Sequence, residues 1–263
     1  MSDARRGRAC IAHQREGRMI PRVSVAPASV SVPPGVRTLL QRIGRIAEAH
    51  GLSAYAVGGC VRDWRLGIAN VTDLDVTVEG DGIRVARAVA RALRGTLETH
   101  EQFGTATIRL SRGTGRRIDV ASCRTESYAR PAAYPTVSAG TLEGDLVRRD
   151  FTINAMAMAL NPGRFGALID PFHGARDLER KELRILHARS FFDDPSRLLR
   201  GVRFAERFQL RWEPATAKAA REAIVSGALG WLNAGRLQRE LERMLREPSS
   251  LACLRHLGTL FDR

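Results

Sequence analysis

Residues 54–80 read AYAVGGCVRDWRLGIANVTDLDVTVEG, and this stretch decides the fold of the 263-residue chain. It opens with Ala54–Val57, a short apolar run typical of a buried strand. Two glycines follow, where a chain can turn tightly and let its backbone approach a ligand. Val61–Leu66 then predicts a short helix, and Thr72–Val78 predicts a returning strand. The stretch therefore predicts a strand, a glycine turn, a helix, a loop and a second strand.

The second strand carries two carboxylates, Asp73 and Asp75. Side chains alternate along a strand, so these two point to one face while Leu74 and Val76 point to the core. Neighbouring carboxylates repel each other, and a bound cation relieves that repulsion. Because hard divalent ions such as Mg²⁺ prefer oxygen ligands, the pair is a candidate metal site.

The glycine turn, Gly58–Gly59, lies just before the predicted helix. Such a turn presents backbone N–H groups to an anion, so the stretch combines a carboxylate pair with a candidate phosphate cradle. A carboxylate pair opposite a phosphate cradle is typical of sites for two-metal phosphoryl or nucleotidyl transfer. Either feature alone is more often a plain turn or a solvated strand face, and their combination in one unit is what favours a site.

The sequence of this unit resembles the head-domain signature of class II tRNA nucleotidyltransferases and bacterial poly(A) polymerases. The two segments that carry the resemblance are GGCVRDWRLG and, after it, DLDVTVEG. The resemblance implies an α+β fold: a DNA polymerase beta-like nucleotidyltransferase head, with a small mixed sheet and helices, followed by an all-helical neck. It implies a catalytic head at residues 35–185 and a helical neck and RNA-binding domain at residues 186–263. The body and tail helices of full-length family members have no counterpart in the sequence, and a separate chain that supplies them is one expectation.

Two of the later segments that extend the resemblance are RRDFTINA at residues 148–155 and FDDPSRLLRGVRF at residues 192–204. In the resembling family the first segment lies near the ribose and phosphates of the nucleotide. The second supplies an aspartate and an arginine that read the base, and it departs from the family here by having Asp193 where the family has glutamate. The nucleotide-binding residues that the resemblance implies are Gly58, Gly59, Arg62, Asp63, Arg149, Asp150, Asn154, Asp194, Arg197, Arg200 and Arg203.

The base-reading pair, Asp194 and Arg197, has a chemical rationale. A carboxylate accepts from the exocyclic amine of cytosine or adenine, and a guanidinium donates to a ring nitrogen or carbonyl, so the pair selects C and A over U and G. The plain alternative is a surface ion pair between two residues three apart on one helix, which contributes only a few tenths of a kcal/mol.

A third carboxylate, Asp119, lies on a predicted strand at residues 117–121 and is a candidate catalytic residue beside Asp73 and Asp75. A surface aspartate is the plain alternative. Residues 122–144 contain prolines and small residues and are predicted to form a loop. Asp145 is then predicted to cap a short helix that bears Arg148, Arg149 and Asp150.

The amino-acid composition indicates the kind of binding partner and the cellular compartment. The formal net charge is +14, and lysine accounts for only two of the 42 basic residues. Arginine-rich positive charge favours a nucleic-acid partner, although a GC-rich genome also enriches arginine. The four cysteines lack metal-ligand spacing, which favours free thiols in a reducing cytoplasm. No apolar run is long enough for a membrane span, and residues 1–34 are predicted to be a disordered basic tail.

The predicted reaction adds C and A nucleotides, from CTP and ATP, to the 3′ end of tRNA. Two Mg²⁺ ions held by Asp73 and Asp75 would assist the transfer, which releases pyrophosphate. Three other activities share most of these motifs: addition of A only, addition of CC only, and poly(A) synthesis. An alternative of another class is a truncated, catalytically idle RNA-binding protein.

Overall fold

The computed structural model describes residues 29–110, 116–127, 130, 132–133 and 135–261. Its first part is built on a mixed β-sheet, and its last part is mainly helical. The strands are β1 (Ser53–Val57), β2 (Asp73–Glu79), β3 (Thr96–His100), β4 (Thr105–Arg109), β5 (Arg117–Ser122), β6 (Arg124–Ser127), β7 (Thr136–Ala139), β8 (Ala157–Ala159), β9 (Leu168–Ile169), β10 (Glu182–Leu183) and β11 (Arg211–Trp212). The helices are α1 (Pro34–Ala49), α2 (Gly59–Arg65), α3 (Gly82–Leu93), α4 (Leu142–Val147), α5 (Gly174–Glu179), α6 (Ser190–Asp193), α7 (Ser196–Phe208), α8 (Pro214–Val225), α9 (Ala234–Leu245) and α10 (Ser250–Phe261).

The main sheet has the strand order β3-β4-β5-β2-β1-β8-β9. Strands β2 and β5 are parallel, and the other neighbouring pairs are antiparallel. This mixed sheet with helices confirms the predicted α+β class. The predicted strand–turn–helix–strand unit is β1, the glycine turn, α2 and β2, with bounds that differ by one or two residues.

Strand β2 separates the two faces of the sheet. Leu74 and Val76 are 1% and 2% exposed, and they share one core cluster with apolar side chains of α1 and α3. Asp73 and Asp75 are exposed and alternate with them along the strand. The predicted alternation is therefore confirmed, and the carboxylates lie on the face opposite α1 and α3. Helix α4 covers part of their own face, where it packs against Val57.

The predicted tail at residues 1–34 is too long. Residues 1–28 lie outside the described residues, but the segment that follows is packed on the head. Val30 and Val32 are 3% and 4% exposed, and the Val30 N–H donates to the Gly166 carbonyl at 3.0 Å. Two valines at alternating positions can bury on one face of an extended segment, which is why this stretch stays ordered up to the start of α1.

The predicted loop at residues 122–144 is wrong in part, because β6 and β7 pair as an antiparallel hairpin. Polar residues on both faces of the hairpin conceal the strand signal that an apolar face would give. Charge fixes one strand of the hairpin to the segment after α4: the Glu126 side chain is 7% exposed, and it pairs with Arg124 on its own strand at 3.0 Å and with Arg148 at 2.8 Å.

The predicted cap of α4 is also wrong. Thr141 caps this helix, because its hydroxyl accepts the Gly144 N–H at 3.3 Å. Asp145 lies inside α4, fully buried, and Arg148 and Arg149 follow the helix rather than lie on it.

The C-terminal part is helical apart from β11, a two-residue strand parallel to β10. One core cluster runs from the sheet into these helices, and the rings of Phe151 and Phe204 meet edge-on with centroids 6.0 Å apart. The division into a head at residues 35–185 and a neck at residues 186–263 stays a prediction, since the core is continuous across it. None of the described helices combines the length and apolarity that a membrane crossing needs.

Candidate active site

Three carboxylates meet on the open face of the sheet. Asp75 on β2 is the direct register partner of Asp119 on the parallel strand β5, and Asp73 lies two residues before Asp75. Asp119 is held on both oxygens: Oδ1 accepts from Thr107 Oγ1 at 2.6 Å, and Oδ2 lies 2.8 Å from a guanidinium nitrogen of Arg117. Asp119 therefore lies beside the carboxylate pair, as predicted for a third acid, but it forms an ion pair with Arg117.

The pair Asp73 and Asp75 suits a hard cation by its chemistry. Desolvation raises the pKa of Asp75, and the neighbouring charges of Asp119 and Asp73 add to that rise while Arg149 opposes it. Among the described residues no cluster of three acidic, histidine or cysteine side chains is close enough to hold a metal ion alone. Mg²⁺ commonly binds one or two carboxylates and completes its shell with water and substrate phosphates, so two aspartates fit that ion.

The glycine turn faces this pair and has a left-handed backbone at Gly58, with φ of +72°. The Gly58 N–H donates to the Met156 carbonyl at 3.1 Å, so this donor is not available to a phosphate, contrary to the predicted cradle. A Cβ at Gly58 would lie 2.6 Å from a terminal nitrogen of Arg149. Glycine is thus required here both by conformation and by the close approach of that guanidinium.

Arg149 is fixed against the buried Asp145, with 2.9 Å between Nη2 and Oδ2. Burial opposes the charge of Asp145, but Arg149 and Arg148 together lower the pKa of this carboxyl. The guanidinium groups of both arginines therefore lie beside a carboxylate that is ionised at neutral pH. The Arg149 side chain remains partly exposed in the cleft.

Arg62 was predicted to bind the nucleotide, but its guanidinium group is already engaged by neighbouring side chains. It is 5% exposed, and it donates to Asn154 Oδ1 and to Asp63 Oδ1. Its guanidinium carbon also lies 4.4 Å from the ring centroid of Phe208 on α7. Arg62 therefore joins α2 to α7, whereas Asp63 pairs with Arg62 on its own helix and is absent from the described lining of the cavity.

Asp150 forms the second link between the sheet and α7. Its Oδ2 accepts from Nε and Nη2 of Arg200, and its Oδ1 accepts from Phe151 N–H and Asn154 Nδ2, at 2.8 and 2.9 Å. Burial opposes ionisation, but Arg200 and these hydrogen bonds lower the pKa of Asp150 to about 2. A fully paired carboxylate supports the architecture of the site rather than a direct nucleotide contact.

Asp194 and Arg197 flank the start of α7, but they do not pair with each other as an i,i+3 ion pair would. Asp194 accepts from Arg236, a residue of α9, whereas Arg197 is 5% exposed and donates to Ser190 Oγ at 2.6 Å. The neighbouring Asp193 lies 3.8 Å from Nε of Arg189 and is not among the described residues of the cavity.

A cavity of about 590 Å³ brings most of the predicted site together. This volume lies in the range of small-molecule sites. The predicted residues that line it are Gly58, Gly59, Arg62, Asp75, Arg149, Asp150, Asn154, Asp194, Arg197, Arg200 and Arg203. Asp73, Asp63 and Asp119 are not in its described lining, and Asp119 instead lines a second cavity of about 330 Å³ that shares Asp75.

Four arginines of the larger cavity were not among the site residues predicted from the sequence: Arg148, Arg207, Arg236 and Arg239. Arg236 and Arg239 are three residues apart on α9, so the helical period could have placed them on one face. No local pattern could have shown which face meets the cleft. With them, nine arginines of the described residues line the cavity, which makes it suited to a polyanionic ligand.

Comparison with known proteins gives one consistent result. Residues 54–184 match the poly(A) polymerase head domain family. The chain is 41% identical over 224 residues to an A-adding tRNA nucleotidyltransferase of Halalkalibacterium halodurans, which covers 84% of the chain and 52% of that protein. It is 39% identical over 192 residues to a CC-adding tRNA nucleotidyltransferase of Deinococcus radiodurans, which covers 73% of the chain and 50% of that protein.

Solved structures are similar over the same region. A CCA-adding enzyme in complex with ATP matches with a TM-score of 0.80 and 38% identity, over 89% of the chain and 55% of that enzyme. The Thermotoga maritima CCA-adding enzyme complexed with tRNA matches with a TM-score of 0.77 and 38% identity, over 89% of the chain and 54% of that enzyme. The chain thus spans about half the length of these relatives.

Proposed function

The chain belongs to the family of class II tRNA nucleotidyltransferases and bacterial poly(A) polymerases, and we propose that it transfers nucleoside monophosphates from CTP and ATP to the 3′ hydroxyl of tRNA. One observation carries the proposal. The exposed aspartates of β2 lie beside a cavity of about 590 Å³ that nine arginines line within the described part of the chain, with Asp75 in the lining and with Asp194 and Arg197 at the start of α7. A carboxylate pair beside a basic cavity suits a triphosphate and the metal ions that accompany it.

Asp73 and Asp75 would hold Mg²⁺ with the help of substrate phosphates, as the donor set allows. When bound, the ions would lower the pKa of the attacking hydroxyl and neutralise charge on the leaving pyrophosphate. Asp119, the proposed third catalytic carboxylate, borders the second cavity, which shares Asp75 with the first. Arg149 is anchored on Asp145 and would bind phosphate oxygens without moving, since its position is already set by that buried carboxylate.

Asp194 and Arg197 would read the base at the α7 end of the cavity. Both side chains are partly or wholly buried and tethered by neighbours, so they form a rigid template rather than a mobile surface pair. A rigid acceptor and donor match the amine and ring nitrogen of cytosine and adenine. Asp150, Asn154, Arg62 and Arg200 support this template by fixing α7 to the sheet.

Addition of A alone is the second candidate. It is favoured by the 41% identity to an A-adding relative, and addition of CC alone is compatible with the 39% identity to a CC-adding relative. Poly(A) synthesis and an idle RNA-binding protein remain the alternatives from the sequence. The free thiols of Cys60, Cys123 and Cys253 suit the cytoplasmic setting proposed for tRNA processing.

A single extension experiment separates these activities. The chain is incubated with Mg²⁺ and labelled tRNA that ends before CCA, after C or after CC, with CTP and ATP offered separately and together. Growth to CCA on the first tRNA supports the main proposal, growth only on the CC-ended tRNA assigns A addition, growth that stops at CC assigns CC addition, and a long adenosine tract assigns poly(A) synthesis.

Controls make the experiment decisive. The Asp75→Asn variant keeps the size of the side chain and should lose all Mg²⁺-dependent extension; retained extension would contradict the two-metal assignment. A wild-type chain that is folded and binds tRNA but extends none of the three substrates would refute the proposed transfer. Restoration of extension by a second purified chain would instead support the separate source of helices that the sequence analysis proposes.

A further inference from the structure

We propose that Arg236 on α9, together with Ser196 on α7, is a positioning residue for base selection. The two residues determine which carboxylate oxygen of Asp194 faces the base. The inference rests on the proposed function, in which Asp194 and Arg197 read the nucleotide base, and it adds the groups that fix the orientation of the reading carboxylate.

Within the part of the chain that the structure describes, Asp194 accepts all of its hydrogen bonds on one oxygen. Oδ1 accepts from Ser196 N–H at 3.0 Å, from Ser196 Oγ at 2.5 Å and from Arg236 Nη2 at 2.5 Å. Within the described residues no donor reaches Oδ2. A carboxylate oxygen has about two lone-pair positions, so three donors saturate Oδ1 and leave Oδ2 as the acceptor for a ligand in the cavity.

Arg197 is tethered in a corresponding way. Its Nη1 donates to Ser190 Oγ at 2.6 Å, and its Nη2 donates to the Arg148 carbonyl at 2.7 Å. No partner in the described part of the chain accepts from Nε. Two terminal nitrogens of the reading guanidinium are therefore engaged by protein, just as one oxygen of the reading carboxylate is.

Selection of the base depends on this fixed orientation. Cytosine and adenine place an amine donor beside a ring-nitrogen acceptor, whereas uracil and guanine place a ring N–H beside a carbonyl. The two oxygens of one carboxylate are about as far apart as the amine and the adjacent ring nitrogen of a base. A carboxylate that rotates freely can therefore accept from either pattern, whereas a carboxylate with one saturated oxygen accepts at a single position.

Arg236 is suited to this role by its fork of donors. While Nη2 holds Asp194, Nη1 lies 3.4 Å from the carbonyl of Ala132, in the segment between β6 and β7. The side chain is 17% exposed, so the ion pair with Asp194 is shielded from water. Arg239, three residues later on the same helix, lines the same cavity but is exposed, and no ion pair or hydrogen bond within the described residues engages it.

The test measures binding of ATP, CTP and UTP separately by calorimetry, with Mg²⁺ and without RNA. The variants are Arg236→Ala, Arg236→Lys and Ser196→Ala, with Arg239→Ala as the matched control. We expect Arg236→Ala to reduce the preference for ATP and CTP over UTP by about tenfold, the size of one lost charge-assisted hydrogen bond. Arg236→Lys should restore most of the preference because one charged donor still reaches Asp194, and Ser196→Ala should give a smaller loss.

The control separates orientation from charge. Arg239→Ala should weaken binding of all three nucleotides alike, because it removes positive charge but no contact with Asp194. An unchanged preference in Arg236→Ala, an equal loss of preference in Arg239→Ala, or a wild-type chain that binds UTP as well as ATP would each overturn the inference. If the wild-type chain binds selectively yet extends no tRNA, the proposed transfer fails while the positioning role stands.

Discussion

The buried pair of Asp150 and Arg200 gives the most quantitative prediction. Asp150 is 6% exposed and accepts four hydrogen bonds, of which Arg200 donates two. The substitution Arg200→Met keeps most of the apolar stem of the side chain and removes the guanidinium. It leaves a buried carboxylate with the bonds from Asn154 and Phe151 but without its charge partner.

The magnitude follows from the pKa of Asp150. That pKa falls from 3.8 to about 2, which corresponds to roughly 2 kcal/mol of preference for the ionised form. Removal of one partner from a buried pair usually costs about 3–5 kcal/mol, because the remaining charge is uncompensated. Two hydrogen bonds to Asp150 survive, so we expect Arg200→Met to lower the free energy of unfolding by about 3 kcal/mol.

Urea denaturation at pH 7 measures this loss, and a companion thermal scan should show a fall of about 6 °C for a chain of this length. The double variant Asp150→Asn with Arg200→Met removes both charges and should be more stable than Arg200→Met alone by about 1 kcal/mol. Such a recovery distinguishes an uncompensated charge from simple loss of packing, since a packing defect would persist in the double variant.

The pH dependence provides a second test with a fixed sign. Because folding lowers the pKa of Asp150, its contribution to stability is present above pH 3.8 and is lost as the pH falls towards 2. The gap between wild type and Arg200→Met should therefore narrow between pH 4 and pH 2. A gap below about 0.5 kcal/mol at pH 7, or a double variant less stable than Arg200→Met, would refute the reasoning.

Two glycine substitutions give further predictions with matched controls. Gly58→Ala should raise the KM for ATP by about tenfold, because its new Cβ would lie 2.6 Å from a nitrogen of Arg149; Gly67→Ala also places a side chain at a positive φ, +75° against +72°, but meets nothing within 4 Å, and an equal effect in steady-state kinetics would contradict the clash. Gly44→Ala should lower the free energy of unfolding in urea by about 3 kcal/mol, because its Cβ would lie 1.8 Å from a buried backbone carbonyl oxygen just after β8. Gly35→Ala in the same helix meets no atom within 4 Å and should be nearly neutral; equal stability of the two variants would contradict the close-packing argument.

The local units of the site could be predicted from short stretches of sequence. Alternation along β2 places Leu74 and Val76 in the core and Asp73 and Asp75 on the open face, and the sheet shows that division. The glycine turn and the helix after it were also predictable. These features follow from the period of one strand or from the conformational demands of one residue, so the information lies within a few neighbouring positions.

Which charged residues of the cleft can bind a ligand and which support their neighbours depends on long-range packing. Arg62 looks free in the sequence, yet it is bonded to Asn154, which lies 92 residues further along the chain. Likewise, Arg236 reaches Asp194 across 42 residues. The choice of partner for an arginine depends on which elements pack together, and the pattern around either residue carries no record of that packing. Pairing between residues far apart in the sequence therefore determines the role of each charged side chain. Such a side chain either contacts the ligand or positions another residue that contacts it.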